Sequence, residues 1–237
     1  MSGPRSFPFR FVRALRLLAS DRTYRNTLWM RLTRPQGAFQ PDNDTRADRY
    51  PAVFQFVQSQ LGADSEVRIL SFGCSTGEEV FSLRRYFPRA AIKGIDINAL
   101  NIASCRSSLR RQPDAGISFE AAADTAGEPA ASYDAIFCMA VLRHGGLSAA
   151  DTRCDRLLRF ADFAAAVEDF SRCLKPGGLL VIRHSNFRLC DAPAGADFET
   201  VLRAEVADPE KLPLFGADNR RLAGALYPDT VFRKTAA

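Results

Sequence analysis

Between Val67 and His184 short apolar runs alternate with amphipathic stretches. Val67 to Ser71, Ala91 to Ile97, Ile117 to Ala121, Tyr133 to Val141 and Leu179 to His184 have the length and hydrophobicity of buried strands. Gly77 to Tyr86, Ala99 to Arg111 and Phe160 to Leu174 read as helices, the last closed by Lys175-Pro176-Gly177-Gly178. Strands separated by helices of ~10–15 residues imply βαβ units. The pattern therefore predicts an α/β fold built on a doubly wound, mostly parallel, Rossmann-like sheet.

Before this series, Phe11, Val12, Leu15 and Leu18 recur at helical spacing, and Asn26 to Leu32 carries Leu28, Trp29 and Leu32. Pro35-Gln36-Gly37 and Pro41 to Asp44 mark loops, and Pro51 opens a helix that ends at Gly62. Residues 1–50 thus form a helical N-terminal extension, and 51–237 form the main domain. Within 185–230 the pattern is less regular and suits a lid or an insertion. There Val201 to Val206 reads as helical, and Leu222 to Leu226 and Thr230 to Lys234 as two strands.

Composition narrows the class. The 237 residues are 46% hydrophobic and 25% charged, the balance of a folded globular protein. No apolar run reaches ~18 residues, so no membrane-spanning helix is expected. The six cysteines form no CxxC pair and no metal spacing, which points to reduced thiols, a cytoplasmic setting and no metal site. The net charge of +5 is uneven: residues 1–34 hold eight Arg and one Asp, a net of +7. A basic amphipathic arm over 5–34 either docks on the core or makes peripheral contact with a membrane surface. No nucleic-acid motif is present.

The richest segment is Ile69-Leu-Ser-Phe-Gly73-Cys74-Ser75-Thr76-Gly77-Glu78-Glu79, which leaves a strand through a glycine turn and enters a helix. In a doubly wound sheet the ligand lies over this turn. The pattern is GxxxG, so the dinucleotide fingerprint is incomplete. Glu78 and Glu79 at the helix N-terminus would repel a pyrophosphate and attract a ligand with an ammonium and a sulfonium. S-adenosyl-L-methionine is such a ligand. Asp96 follows Gly77 by 19 residues, close to the ~20-residue spacing at which an acid meets ribose hydroxyls. The cofactor-binding candidates are Phe72, Gly73, Cys74, Ser75, Gly77, Glu78, Asp96, Ile97, Asp124 for the adenine amino group, Cys138 and Met139.

These motifs resemble those of class I S-adenosylmethionine-dependent methyltransferases. The match runs through 69–79, Asp96 and the LKPGG of Leu174 to Gly178. STGEE, YDAIFCMAVL and LKPGGLLVIRHS are similar to phrases of the chemoreceptor glutamate methyltransferase (CheR) type. The resemblance implies a seven-stranded methyltransferase sheet and transfer of a methyl group to an O, N or carboxylate acceptor, small molecule or protein.

Methyl transfer is an in-line displacement that needs a base only when the acceptor must lose a proton. His144 and His184 are the only histidines, and both fall at strand ends on the ligand edge, so they are the catalytic candidates. Among Tyr24, Trp29, Phe39 and Tyr50, an aromatic facing the sulfonium would add a cation–π contact, with helix packing the expectation for Trp29. The competing expectation is a non-catalytic adenosyl-ligand-binding protein whose basic arm engages a membrane or partner. The acceptor and the oligomeric state are not encoded in any motif.

Overall fold

The structure is a computed structural model and describes residues 16, 17, 20, 22–33, 35, 37–41, 45–205 and 212–235. Helix α1 (Arg22–Thr33) and helix α2 (Pro51–Leu61) precede the first strand. There follow β1 (Arg68–Phe72), α3 (Glu78–Tyr86), β2 (Ala91–Asp96), α4 (Ala99–Arg111), β3 (Ile117–Ala121), β4 (Tyr133–Met139), α5 (Phe160–Cys173), β5 (Leu174–Arg183), β6 (Phe198–Arg203) and β7 (Asp229–Lys234). The expected helix through Phe11 and Leu15 lies outside the described residues.

The seven strands form one sheet in the order β3-β2-β1-β4-β5-β7-β6. The first five run parallel, and β7 pairs antiparallel to both β5 and β6. This is the doubly wound, mostly parallel seven-stranded sheet that the alternation predicts. Strand order reverses between β1 and β4, the place where such sheets open a crevice for ligands.

Both faces of the sheet are covered, which explains why the central strands read as unbroken apolar runs. On one face Leu70, Phe72, Ile136, Cys138, Leu180 and Ile182 pack against Phe163, Val167 and Phe170 of α5. On the other, Ile69, Ala135, Phe137, Leu179 and Val181 pack against Val53, Phe54 and Val57 of α2 and Val80 and Leu83 of α3. The period of two in the strands sorts these side chains to opposite faces. In α5 the buried Phe160, Phe163, Val167 and Phe170 make one apolar stripe.

Three expectations in the C-terminal region change. The helix expected over Val201 to Val206 gives way, through Arg203, to strand β6 (Phe198–Arg203), which pairs along β7 and whose Arg203 meets Asp229 at 2.8 Å. Leu222 to Leu226 is not a strand, since Gly224 turns the chain at φ 67. Nor do the described parts of 185–230 roof the sheet crevice as a lid. Phe187 and Phe215 are fully buried in the α5-side core, where Phe215 N–H donates to the Asn186 carbonyl. Leu174, expected to end α5, instead starts β5 opposite Tyr133, and the chain bulges before Leu179 pairs with Ala135.

Candidate functional site

A cavity of about 270 Å³ opens at the carboxyl ends of β1, β2 and β4. Its floor is the β1–α3 turn with Phe72, Gly73, Cys74 and Ser75, its far wall is Asp96, Ile97 and Asn98, and Met139, Ala140 and Val141 close the β4 side. Its roof is Met30 of α1 together with Gly37 to Gln40, Thr45, Arg46, Arg49 and Tyr50. That roof is fastened. Gln40 donates to the Ala140 carbonyl across the opening. Asp48 receives the Tyr86 hydroxyl at 2.8 Å, and its own N–H donates to Ser82 Oγ at 2.9 Å.

Gly73 has φ 73, and a Cβ placed there would lie 2.4 Å from Val141 Cγ2. Glycine is thus required by backbone conformation and by the close approach of the β4 loop. The turn is pinned to β2, because the N–H groups of Gly73 and Cys74 both donate to the Ile95 carbonyl, at 2.8 and 2.9 Å. Three non-glycine residues on this edge are also left-handed: Ser75 (φ 50), Ala140 (φ 60) and His184 (φ 57). Such residues are uncommon and cluster at functional sites.

Asp96 lines the cavity and braces the loops around it. Oδ2 accepts the Ser75 N–H at 2.8 Å, and Oδ1 accepts Asn98 N–H at 2.8 Å and Asn101 Nδ2 at 3.1 Å. Burial raises its pKa, and these hydrogen bonds oppose the rise. A carboxylate has about four acceptor positions, so the spare one lies on Oδ2. Asn98 caps α4 by accepting the Leu100 N–H at 3.0 Å.

The neighbouring acids part company. Glu79, not Glu78, lines the cavity. Glu79 Oε1 accepts the Ser71 hydroxyl at 2.7 Å, and burial pushes its carboxyl up to about 7. It keeps part of its surface toward the cavity while protein encloses the rest. Glu78 turns aside to accept the Thr76 hydroxyl at 2.7 Å. The inward face of α3, with Val80 and Leu83 buried, was the signal that distinguishes them.

Other candidates also move. Gly77 sits behind the turn at φ 97, where a Cβ would lie 3.2 Å from Cys105 Sγ and 3.4 Å from Phe119, so glycine lets the start of α3 pack close to α4 and β3. Cys138 is fully buried against α5 and does not line the cavity, whereas Met139 does. Asp124 is exposed, caps a turn by accepting the Ala126 N–H at 3.0 Å and does not line the cavity, whereas Ala122 and Ala123 do. His144 spends Nδ1 on the Gly146 N–H at 3.0 Å and does not line the cavity, though its neighbours Arg143 and Gly145 do. His184 lies behind Tyr50, with ring centroids 5.7 Å apart. Burial, then the nearby Arg183, Arg143 and Arg49, hold it down to about 4, so it is neutral at pH 7 and a poor base.

Of the four N-terminal aromatics, Phe39 and Tyr50 line the cavity and Tyr24 and Trp29 do not. The sequence reading missed Met30, Arg46, Arg49, Phe54 and Arg143. Arg143 alone carried a usable signal, a charge just beyond β4 on the ligand edge. Among the described residues no group of three His, Cys, Asp or Glu is placed to hold a metal ion, and no helix is long and apolar enough to cross a membrane.

Among solved structures, the chain is similar to that of the (4+2)-cyclase SpnF, with 24% identity over 59% of this chain and 47% of that one (TM-score 0.44). The geranyl diphosphate C-methyltransferase of Streptomyces coelicolor A3(2) matches at 18% identity over 56% of this chain and 44% of that one (TM-score 0.41). A SAM dependent methyltransferase of Aquifex aeolicus matches at 15% identity over 54% of this chain and 62% of that one (TM-score 0.42). Each match takes in less than two thirds of the neighbour's own chain. No curated protein sequence matches. A family model described as a methyltransferase domain matches residues 63–213, which span β1 to β6 and the floor of the cavity, and the chain therefore belongs to the methyltransferase domain family.

Proposed function

We propose that this chain is an S-adenosyl-L-methionine-dependent methyltransferase. The observation that carries the reading is the arrangement of two acids about one glycine turn. Asp96 keeps one acceptor position toward the cavity, suited to a ribose hydroxyl. Glu79 sits on the cavity floor as a carboxyl that burial raises to about 7, a rise only partly offset by the Ser71 hydroxyl and Arg49. An ammonium there is attracted, and a pyrophosphate is repelled. Ser75 Oγ is buried without a partner at the same turn and adds a hydrogen-bonding position.

When bound, S-adenosyl-L-methionine supplies a methyl group already activated by positive sulfur. The residues of the chain bind, orient and exclude water. Asp96 and Ser75 hold the adenosyl end, and Glu79 holds the ammonium. Met30, Phe39 and Gln40 cover the cavity, which keeps water from the displacement. His184 is neutral and weakly basic, so the acceptor best suited to this site is one whose nucleophile needs no strong base. The phrases shared with the chemoreceptor glutamate enzymes fall on the β1–α3 turn and the start of α3, on β4 and on β5, and leave the acceptor open.

Calorimetry tests the reading. S-adenosyl-L-methionine and S-adenosylhomocysteine are expected to bind at one site and NAD not to bind. Binding of NAD in preference to both would overturn it. Transfer of radiolabelled methyl to a panel of O, N and carboxylate acceptors then identifies the reaction.

A further inference from the structure

Several guanidinium groups elsewhere on this protein are paired with carboxylates. Arg84 meets Asp114 at 2.8 Å, Arg159 meets Asp162 at 2.8 Å, Arg188 meets Asp191 at 2.7 Å and Arg203 meets Asp229 at 2.8 Å. The roofed end of the cavity is different. Arg46, Arg49 and Arg143 line it, and Arg183 stacks on the Tyr50 ring with its guanidinium carbon 5.7 Å from the centroid. Arg49 lies over the same ring at 5.3 Å. Among the described residues, no carboxylate lies within 4.0 Å of Arg46, Arg143 or Arg183.

Of the two acids of the cavity, Glu79 is acted on by Arg49, and neither lies within 4.0 Å of Arg46, Arg143 or Arg183. Asp96 is held by Ser75, Asn98 and Asn101, and Glu79 by Ser71. Three buried polar atoms at the cationic end have no partner among the described residues. The Tyr50 hydroxyl is buried with none, and so are the Nε atoms of Arg143 and Arg183. Buried donors left unmade are costly, and an acceptor of hydrogen bonds beside Tyr50 and Arg143 would satisfy them. The planar fork of arginine matches carboxylate and phosphate oxygens, and a cleft lined by one sign of charge concentrates its field on such an ion.

We propose, on the basis of the methyl-transfer reading above, that Arg143, Arg46 and the Tyr50 hydroxyl form a subsite for an oxyanion carried by the acceptor, a carboxylate or a phosphate. Arg183 supports Tyr50 from behind and adds its charge. S-adenosyl-L-methionine has a carboxylate of its own, next to its ammonium. Arg49 is the guanidinium that acts on Glu79, so the amino-acid end of the cofactor is matched by that pair. Arg143 is left for the second substrate. Phe39, Phe54 and Met139 make the rest of this end apolar, so the fitting acceptor joins an apolar body to an anionic group.

The test is calorimetry on the full chain saturated with S-adenosylhomocysteine, with phenylacetate, phenyl phosphate and phenylacetamide as probes. At least one anion is expected to bind about tenfold more tightly than the neutral amide. Which anion does so separates a carboxylate from a phosphate. Arg143→Gln is expected to abolish that preference while changing S-adenosylhomocysteine affinity by less than about twofold. Arg143→Lys, which keeps the charge without the fork, is expected to retain part of it. Equal binding of amide and anions, or an anion preference that survives in Arg143→Gln, overturns the proposal. So does a loss of S-adenosylhomocysteine affinity in that variant by about tenfold, which would place Arg143 on the cofactor's carboxylate. If S-adenosylhomocysteine does not bind the unaltered chain, the methyl-transfer reading falls and takes this proposal with it.

Discussion

The hydroxyl of Ser71 donates to Glu79 Oε1 at 2.7 Å, which ties the fourth residue of β1 to the first turn of α3 beneath the cavity. Ser71 is fully buried, so its hydroxyl has little other use. The bond orients a carboxyl that burial would otherwise leave protonated to still higher pH. Glu79 is therefore poised near neutrality and sensitive to a cation arriving above it.

That poise predicts a pH dependence. The folded-state value of about 7 lies above the 4.5 of an ordinary glutamate. Its contribution to stability is fully present below about 4.5 and is lost as pH rises through about 7. Glu79→Gln should thus stabilise the chain at pH 8 by about 1–2 kcal/mol, a figure discounted for the surface left toward the cavity. The same variant should bind S-adenosyl-L-methionine at least about tenfold more weakly. In the unaltered chain, affinity should fall as pH drops from 8 to 6. Thermal melts and calorimetry across that range check both signs, and a flat affinity profile would separate Glu79 from the ammonium.

Asp96 carries two duties, so its truncation to Ala confounds them. Asp96→Asn keeps the size and some of the hydrogen bonds to Ser75, Asn98 and Asn101 but removes the charge. Adenosyl binding should weaken by about 1.5–3 kcal/mol, the scale of a hydrogen bond to a charged group. Asp96→Ala should weaken it further and also lower the melting temperature. If Asp96→Asn binds S-adenosylhomocysteine as tightly as the parent, the ribose assignment is wrong.

Gly73→Ala should destabilise the fold as well as the site. The left-handed backbone costs about 1–2 kcal/mol for a residue with a Cβ, and the new methyl would lie 2.4 Å from Val141 Cγ2. Pairing it with Val141→Ala removes the clash but leaves the backbone cost. The double variant should therefore recover part of the lost melting temperature. No recovery would mean that the collision with Val141 is not what the glycine avoids.

His184 should not titrate near neutrality. Its ring is expected to change charge at about 4, which proton NMR of the histidine ring resonances reads directly. Replacing Arg183 by Gln should raise that value, because one of the positive neighbours is gone. An unaltered His184 titrating between pH 6 and 7 would restore it as a base.

The sheet was largely legible because buried parallel strands need continuous apolar sequence, as in Tyr133 to Met139, and because amphipathic helices such as α5 announce their face. Asp96 and the Gly73 turn were legible for a related reason: chain geometry fixes the distance from a glycine turn to the next strand end. Glu78 and Glu79 could be separated only by helical phase, and the buried Val80 and Leu83 settle that phase once packing is known. Tyr50 was legible as an aromatic, but its gathering with the arginines was not. These residues come from 46–50, 143 and 183, segments far apart in sequence that meet because the roof folds back over β4 and β5. β6 was misread for lack of a partner: Phe198 to Arg203 becomes strand through pairing with β7, a contact about thirty residues away that no local propensity records.

The left-handed backbones of Ser75, Ala140 and His184 bear on how this sequence tolerates drift. At each, glycine would relieve about 1–2 kcal/mol of steric cost, so the shortest mutational routes to a hardier chain pass through the rim of its own cavity. Those routes also strip out the side chains and loosen the loops that shape the binding edge. Selection for thermal endurance and selection for ligand fit therefore pull in opposite directions at the same three positions. A directed-evolution library scored only by survival of heating should accumulate glycine there and shed affinity for the adenosyl ligand.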